Sequence, residues 1–268
     1  MAQQPRHISR SPNLNVMANA AFKAARGLVR DFGEVEHLQV SQKGPGDFVS
    51  TADKKAEKIL HAELSKARPT YGFILEEGGV LPGSEDSTWI IDPLDGTTNF
   101  LHGIPHFAIS IALQKGNEII AGVIYDPVKD ELFHAEKGGG AFLNERRLRV
   151  SGRSQLTESL LATDLPFASH SPAARQEFQK TLDKLTPFVA GVRRFGAASL
   201  DMAYVAAGRF EGYWKEAIQP WDIAAGIVLV REAGGYVSDL KGGDDLFGTR
   251  SVLATNGALQ ASIRRALG

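Results

Sequence analysis

Two carboxylates stand three positions apart near residue 90. Asp92 and Asp95 enclose Pro93 and Leu94, and the proline ring fixes the backbone torsion between them. Clustered carboxylates repel one another unless a cation neutralises them, and a hard ion with oxygen ligands suits such a cluster. The tetrapeptide therefore predicts a rigid turn that holds a divalent cation, with magnesium as the default. An acidic turn in which Asp95 caps a helix explains the same four residues equally well.

The residues after Asp95 add a site for an anion. Gly96 lets a ligand approach the backbone closely. The amides of Thr97, Thr98 and Asn99 would open a short helix, where unpaired N–H groups can bind a phosphate-sized anion. Carboxylates beside an anion site are unfavourable unless cations bridge the two. The segment is therefore typical of metal-assisted phosphoryl transfer, which it favours over a simple capping turn.

The predicted strands and helices would bring further carboxylates to the same place. Short apolar runs precede both Glu76 and Asp92, so each carboxylate follows a predicted strand. Asp53 falls in the first turn of a helix that Ser50 and Thr51 would cap. These three acids are separated in the sequence, so only the folded chain can bring them together.

The rest of the chain predicts a mixed α/β fold. Residues 107–150 have the turn spacing of an antiparallel meander. The second half alternates helices and strands, and Asp222 begins a buried helix that ends before Gly234. With no linker or internal repeat, we expect one compact unit of two joined halves. Its parts are a flexible N-terminal tail over 1–12, an α+β half with the main metal motif over 13–150, and an α/β half over 151–268.

The composition excludes several classes of function. The 268 residues have ordinary hydrophobic and charged fractions, 43% and 23%, and no apolar stretch long enough to cross a bilayer. The net charge is −1 and the basic residues are scattered, so there is no footprint for general nucleic-acid binding. The absence of cysteine excludes thiol catalysis and thiolate metal sites. A reducing cytoplasm fits this composition.

Four segments together resemble the inositol monophosphatase family, and its bacterial SuhB-like members most closely. The likeness extends over about residues 13–256, and its segments are 46–53, the pair 76–77, 89–100 and 220–226. An Asp-Gly-Thr-Thr-Asn motif followed by a distant Trp-Asp motif makes the resemblance specific. It implies a layered αβαβα sandwich, a homodimer, and lithium-sensitive, Mg²⁺-dependent hydrolysis of a phosphomonoester.

The resemblance also implies the metal ligands. Glu76, Asp92 and the backbone carbonyl of Leu94 would hold a first magnesium ion. Asp92, Asp95 and Asp222 would hold a second. Glu76 would also help to retain a weaker third ion, so two or three ions are expected.

Catalytic and substrate-binding roles follow from the same resemblance. Glu76 and the Asp53–Thr97 pair would orient the water that attacks phosphorus in line, without a covalent phosphoenzyme. A metal ion would activate this water and offset charge on the departing alkoxide. The expected substrate contacts are Asp95, Gly96, Thr97, Gly196, Ala198, Lys215, Glu216 and Asp222.

One position departs from the family pattern. The family has a sugar-binding acid seven positions before the aspartate of the Trp-Asp motif, where this chain has Lys215. The adjacent Glu216 would replace that acid only if a bulge turned it inward. Lys215 is either a solvated surface lysine or a pocket residue that favours a second negative group on the substrate. We expect inositol 1-phosphate to be hydrolysed, with phosphoadenosine phosphate, fructose bisphosphate and histidinol phosphate as alternatives.

A function of another class is a regulatory protein that binds RNA or the transcription machinery, as SuhB-like relatives are associated with such a role. Direct recognition of single-stranded RNA typically uses a basic stripe with interleaved aromatic residues, and the chain has no such stripe. The complete acidic set favours an enzyme, and one chain could have both functions.

Overall fold

The computed structural model describes residues 11–35, 40–44, 47–165 and 171–267. The expected N-terminal tail lies almost entirely outside the described residues. The α-helices are α1 Pro12–Phe32, α2 Thr51–Ala67, α3 Thr97–Leu101, α4 Pro172–Leu185, α5 Ala198–Ala206, α6 Pro220–Glu232, α7 Leu246–Thr249 and α8 Gln260–Leu267. Two short 3₁₀ turns span Leu156–Glu158 and Thr186–Phe188.

The strands form one two-stranded ribbon and two larger sheets. In chain order they are β1 Val40–Gly44, β2 Asp47–Ser50, β3 Gly72–Leu75, β4 Gly79–Leu81, β5 Ser87–Asp95, β6 Ala108–Lys115, β7 Glu118–Asp126, β8 Glu131–Glu136, β9 Gly140–Leu143, β10 Arg146–Arg147, β11 Leu160–Thr163, β12 Gly191–Arg193, β13 Gly212–Glu216, β14 Tyr236–Ser238 and β15 Ser251–Thr255.

The larger sheet has the strand order β10-β9-β8-β7-β6-β5-β3-β4. Successive strands from β5 to β10 pair antiparallel with one another, which confirms the predicted meander. Strands β3 and β5 are parallel, with Leu75 opposite Ile91. Their carboxyl ends therefore meet at one edge, and this places Glu76 beside Asp92.

The smaller sheet has the order β12-β11-β13-β15-β14. Strand β11 runs parallel to both β12 and β13, whereas β15 is antiparallel to β13 and β14. Thr163, the last residue of β11, pairs with Trp214 of β13. The residues that follow each of these two positions, Asp164 and Lys215, are therefore neighbours.

The helices and sheets stack in five layers, which confirms the layered αβαβα sandwich. Helices α1 and α2 cover one face of the larger sheet around Trp89 and Ile91. Helices α5 and α6 lie between the two sheets and pack around Ile90 and Met202. Helices α4 and α8 cover the outer face of the smaller sheet around Trp214. Among the described helices, none is long and apolar enough to cross a membrane.

The predicted start of α2 is also confirmed. Ser50 caps α2 and accepts from the amide of Ala52, while the carboxylate of Asp53 accepts from the amide of Ser50. Ser171 caps α4 and precedes Pro172 at its first position. The capping bonds that satisfy the first turn of α2 also fix the orientation of Asp53.

The turn predicted for the acidic tetrapeptide is instead the last part of β5. The register with β6 shifts between Asp92 and Asp95, so that the two strands lose regular pairing there. Pro93 has no N–H to donate to the ladder, and a proline within a sheet is accommodated at such an irregularity. Asp95 does not cap α3, because the N-cap residue is Gly96.

Candidate active site

A cleft of about 640 Å³ opens where the carboxyl ends of β3 and β5 meet the first turns of α3, α5 and α6. Most residues that the sequence predicts for the site line this cleft. These are Glu76, Asp92, Leu94, Asp95, Gly96, Thr97, Gly196, Ala198, Lys215 and Asp222. Asp53 lies behind Thr97, and Glu216 lines a neighbouring cavity.

Asp92 is the most deeply buried of the cleft carboxylates, with 2% of its surface exposed. Its Oδ1 accepts from the amide of Leu94 at 2.9 Å. Burial, and then the charges of Glu76, Asp95 and Asp222, raise the pKa of Asp92 well above its usual value. A hydrogen bond between the Asp92 and Glu76 side chains contributes in the same direction. A hydrogen bond between two carboxyl groups requires a proton on one of them.

Asp95 faces the first turn of α5. Its Oδ2 accepts from the amide of Ser199 at 2.7 Å and from the Ser199 hydroxyl, and its Oδ1 accepts from the amide of Ala198 at 3.2 Å. Burial and then the charge of Asp222 raise the pKa of Asp95 to about 7, although Ser199 and Lys215 oppose the shift. Helix α5 therefore holds this carboxylate in place.

Asp222 reaches the cleft from the first turn of α6. Its Oδ2 accepts from the amide of Gln219 at 3.2 Å, and this bond caps the helix. Burial raises the pKa of Asp222, whereas Lys215 lowers it. Helix α6 comes close to the larger sheet because β7 has Gly122 at the contact, where a Cβ atom would lie 2.7 Å from the Ala225 carbonyl oxygen.

The electrostatics of this cluster fit a divalent cation. The pKa values of Asp92, Asp95 and Asp222 are all raised by burial, and those of Asp92 and Asp95 also by neighbouring carboxylates. A hard cation with carboxylate ligands relieves both costs. Among the described residues, no three acidic or histidine side chains already form a metal-holding group. Asp92 forms a hydrogen bond with Glu76, Asp95 accepts from α5, and Asp222 caps α6.

Thr97 lies beside the carboxylates at the start of α3. Its Oγ1 is 3.1 Å from Asp53 Oδ1 and 3.0 Å from the carbonyl oxygen of Leu94, so its one hydrogen has two acceptors within reach. The preceding Gly96 has φ +95°, and a Cβ atom there would lie 3.0 Å from the carbonyl oxygen of His106. Only glycine fits this close left-handed turn.

Lys215 faces the cleft and Glu216 does not. Strand β13 pairs regularly with β15 through both residues, Lys215 opposite Val252 and Glu216 opposite Ser251. No bulge turns Glu216 inward, so adjacent side chains on β13 point to opposite faces. Lys215 Nζ lies 3.1 Å from Asp164 Oδ2. Burial alone would lower the pKa of Lys215, but nearby carboxylates, Asp164 first, raise it overall, so the ammonium stays charged.

The structure adds residues to the site that the sequence reasoning missed. Ser199 directly follows the expected contact Ala198, but nothing in its position indicates a hydrogen bond to Asp95. Asp164 directly follows a strand, and the same feature in the sequence indicates Glu76 and Asp92 as site residues. Arg194, Gln219 and Arg250 are further polar residues that line the cleft and that the sequence did not indicate.

Comparisons with known proteins agree with this architecture. The model of the inositol monophosphatase family matches residues 10–268. The chain is 55% identical over 262 residues to an inositol-1-monophosphatase of Mesorhizobium japonicum, covering 97% of each chain. It is 44% identical to the Nus factor SuhB of Pseudomonas aeruginosa, covering 91% of this chain and 92% of the relative. A crystal structure of the extragenic suppressor protein suhB from Bartonella henselae superposes with a TM-score of 0.92 at 54% identity, covering 96% and 98%.

Proposed function

The chain belongs to the inositol monophosphatase family and is a phosphatase, and we propose that it hydrolyses inositol monophosphate to inositol and phosphate with bound Mg²⁺. The observation that carries this proposal is the cluster of Asp92, Asp95 and Asp222 at one end of the cleft. Asp92 and Asp95 lie on β5 and Asp222 lies on α6. The pKa values of all three carboxylates are raised, first by burial and then by neighbouring carboxylates.

We propose that Glu76, the carbonyl of Leu94 and the three clustered aspartates hold two or three Mg²⁺ ions. When bound, Mg²⁺ supplies an activated water near neutral pH and charge stabilisation for the leaving oxygen. Asp95 is bonded to α5, and Asp222 is bonded to the start of α6. Two rigid helices therefore position the ligands, so little of the binding free energy is lost in ordering them.

The protein groups that orient the attacking water are Thr97 and Glu76. Asp53 Oδ2 accepts from the amide and hydroxyl of Ser50. This leaves Asp53 Oδ1 to accept from the Thr97 hydroxyl. With its hydrogen directed at Asp53, the Thr97 oxygen can accept a hydrogen bond from water in the cleft. Glu76, at the end of β3, would accept the second hydrogen of that water, and the water would then be aligned with phosphorus.

Replacing Thr97 with valine tests this orientation. We expect kcat to fall about 100-fold, because a positioned proton acceptor contributes roughly 10²- to 10⁴-fold. Thr97→Ser keeps the hydroxyl and should retain kcat within about threefold of wild type. Such a change in the activation free energy is smaller than the roughly 1.36 kcal/mol that corresponds to a tenfold change in rate. Steady-state phosphate release at saturating Mg²⁺ measures both variants. Equal kcat values for Thr97→Val and wild type would exclude the role.

The substrate is tested with a panel of phosphomonoesters on the purified enzyme in Mg²⁺. The panel contains inositol 1-phosphate, fructose 1,6-bisphosphate, a phosphoadenosine phosphate and histidinol phosphate. We expect the highest kcat/KM for inositol 1-phosphate, since the relatives that are 51–55% identical are named inositol-1-monophosphatases. No phosphate release from inositol 1-phosphate would refute the substrate, and a higher kcat/KM for another ester would replace it.

A second role in transcription is favoured by the relatives named Nus factor SuhB, which are 44–46% identical to this chain. Asp95→Asn separates the two roles, because the variant should lose hydrolysis and keep any binding to a transcription partner. We also retain as proposals a homodimeric enzyme and a cytoplasmic location.

A further inference from the structure

The wall of the cleft next to the aspartate cluster contains a buried ion pair. Asp164 follows β11 and Lys215 lies on the adjacent parallel strand β13. Lys215 Nζ is 3.1 Å from Asp164 Oδ2, and their side chains are 14% and 7% exposed. The Tyr213 hydroxyl donates to the same Asp164 oxygen at 3.2 Å. Both ends of the pair are therefore fixed by strands before any substrate arrives.

This pairing decides what Lys215 can bind. A lone ammonium would attract a second phosphate, but here the ammonium is neutralised by Asp164. Asp201 is a buried neighbour whose pKa is raised well above the usual value by burial and then by Asp164. A phosphate bound to Lys215 would also face the Asp164 carboxylate, and like charges at such a distance repel. The pair is therefore less favourable for a second anionic group than a lone ammonium would be.

The same pair suits hydroxyl groups. An ammonium has three N–H donors, and a carboxylate has about four acceptor positions. Tyr213 and Lys215 both bond to Asp164 Oδ2. Among the described residues, the charged group recorded near Asp164 Oδ1 is Arg194, whose Nε lies 3.9 Å away. A hydroxyl both donates and accepts, so neighbouring hydroxyls of a polyol can bond to Asp164 Oδ1 and Lys215 Nζ together.

We propose that Asp164 is a specificity-determining residue that binds the hydroxyls of the alcohol portion of the substrate, with Lys215 beside it as donor. Asp164 thereby provides, from the end of β11, the carboxylate that position 215 lacks. This proposal rests on the proposed hydrolysis of a polyol phosphate and refines its substrate class to neutral polyol monophosphates. Phosphate binding and water attack remain with the aspartate cluster and Thr97.

The test compares Asp164→Asn with wild type on three esters: inositol 1-phosphate, glycerol 2-phosphate and phenyl phosphate. The first two have free hydroxyls and the third has none. We expect KM to rise about 10- to 100-fold for the two polyol esters, since a hydrogen bond to a charged group contributes about that factor. We expect kcat to stay within about threefold, because the contact does not change in the transition state. KM for phenyl phosphate should not change.

Asp239→Asn is the matched control. Asp239 is a buried aspartate on the loop after β14 that accepts from backbone amides, and it does not line the cleft. Its variant should keep the wild-type KM for all three esters, and thermal unfolding checks that both variants are folded. A structural effect of Asp164→Asn would instead change phenyl phosphate hydrolysis to the same extent as polyol ester hydrolysis.

A fructose 1,6-bisphosphate arm separates the two possible roles of Lys215. If Lys215 bound a second phosphate, Lys215→Met would raise KM for the bisphosphate more than for inositol 1-phosphate. We expect Lys215→Met to raise KM for inositol 1-phosphate more than for the bisphosphate. An unchanged KM of Asp164→Asn for glycerol 2-phosphate would overturn the proposal, whether or not inositol 1-phosphate is a substrate. Failure of wild type to hydrolyse inositol 1-phosphate would refute only the proposed substrate.

Discussion

Asp92→Asn is expected to lower phosphate release by about 10³-fold or more and, at the same time, to stabilise the metal-free protein. The loss of activity follows because a bound metal ion contributes several kcal/mol of charge stabilisation, and each 1.36 kcal/mol is tenfold in rate. Asp92 is the ligand expected for both of the first two ions. Its replacement therefore removes the metal site rather than weakening one contact.

The gain in stability follows from the burial of Asp92 among other carboxylates. Asp92 is 2% exposed and is surrounded by Glu76, Asp95 and Asp222, which disfavour its charge. Asparagine has the same shape, can still accept from the amide of Leu94, and can donate to Glu76 without a shared proton. In chelator we expect Tm to rise by about 2 to 4 °C, as about 1 kcal/mol of stabilisation would produce in a chain of this size.

The control for this experiment is Asp31→Asn. Asp31 is also buried, but it pairs with Arg30 and Lys55. Neutralising it leaves those cations unpaired, so Tm should fall while phosphate release is kept. Calorimetry in chelator and in Mg²⁺, with phosphate release, measures all three proteins. An Asp92→Asn protein that retains full activity, or that is less stable than wild type in chelator, would show that the cluster is not the metal site.

The metal-free protein is expected to lose stability as the pH rises from about 4 to 7. Burial and Asp222 raise the pKa of Asp95 to about 7, from 3.8. A folded-state pKa above the unfolded one means that the folded state binds more protons between these values. The contribution of protonated Asp95 to the stability of the folded state is complete below pH 3.8 and is lost as the pH rises through 7. Asp95 alone would account for about 2 to 4 kcal/mol.

Chemical denaturation in chelator at pH 5 and pH 8 measures this difference. Excess Mg²⁺ should remove most of it, because a cation that binds the ionised carboxylates stabilises the folded state by mass action. The Asp92→Asn variant should have a shallower pH dependence than wild type, since one source of repulsion is gone. A metal-free protein that is equally stable at both pH values, or more stable at pH 8, would contradict the electrostatic account of the cluster.

The sequence predicted those parts of the molecule that depend on neighbours along the chain. The Ser50 cap placed Asp53 in the first turn of α2, and alternating apolar runs located the meander from β6 to β10. The positions of Glu76 and Asp92 at strand ends could also be read locally. Their proximity needed one further assumption, namely that β3 and β5 are parallel.

Contacts between distant segments could not be predicted in this way. The bonds from α5 to Asp95 join residues more than 100 positions apart. The Asp164–Lys215 pair depends on the parallel pairing of β11 with β13, which no local pattern specifies. The shift of register within β5 depends on how β6 accommodates Pro93. In each case the interaction depends on how distant strands and helices pack together. The residue types alone allow several such arrangements.

The most direct test of the central claim is phosphate release from inositol 1-phosphate by the wild-type enzyme as Mg²⁺ is titrated into protein treated with chelator. We expect no release above background without Mg²⁺, a saturable rise as Mg²⁺ is added, and no rise for Asp92→Asn at the same concentrations. Release at the full rate in chelator, or a normal Mg²⁺ response of the Asp92→Asn variant, would contradict the claim.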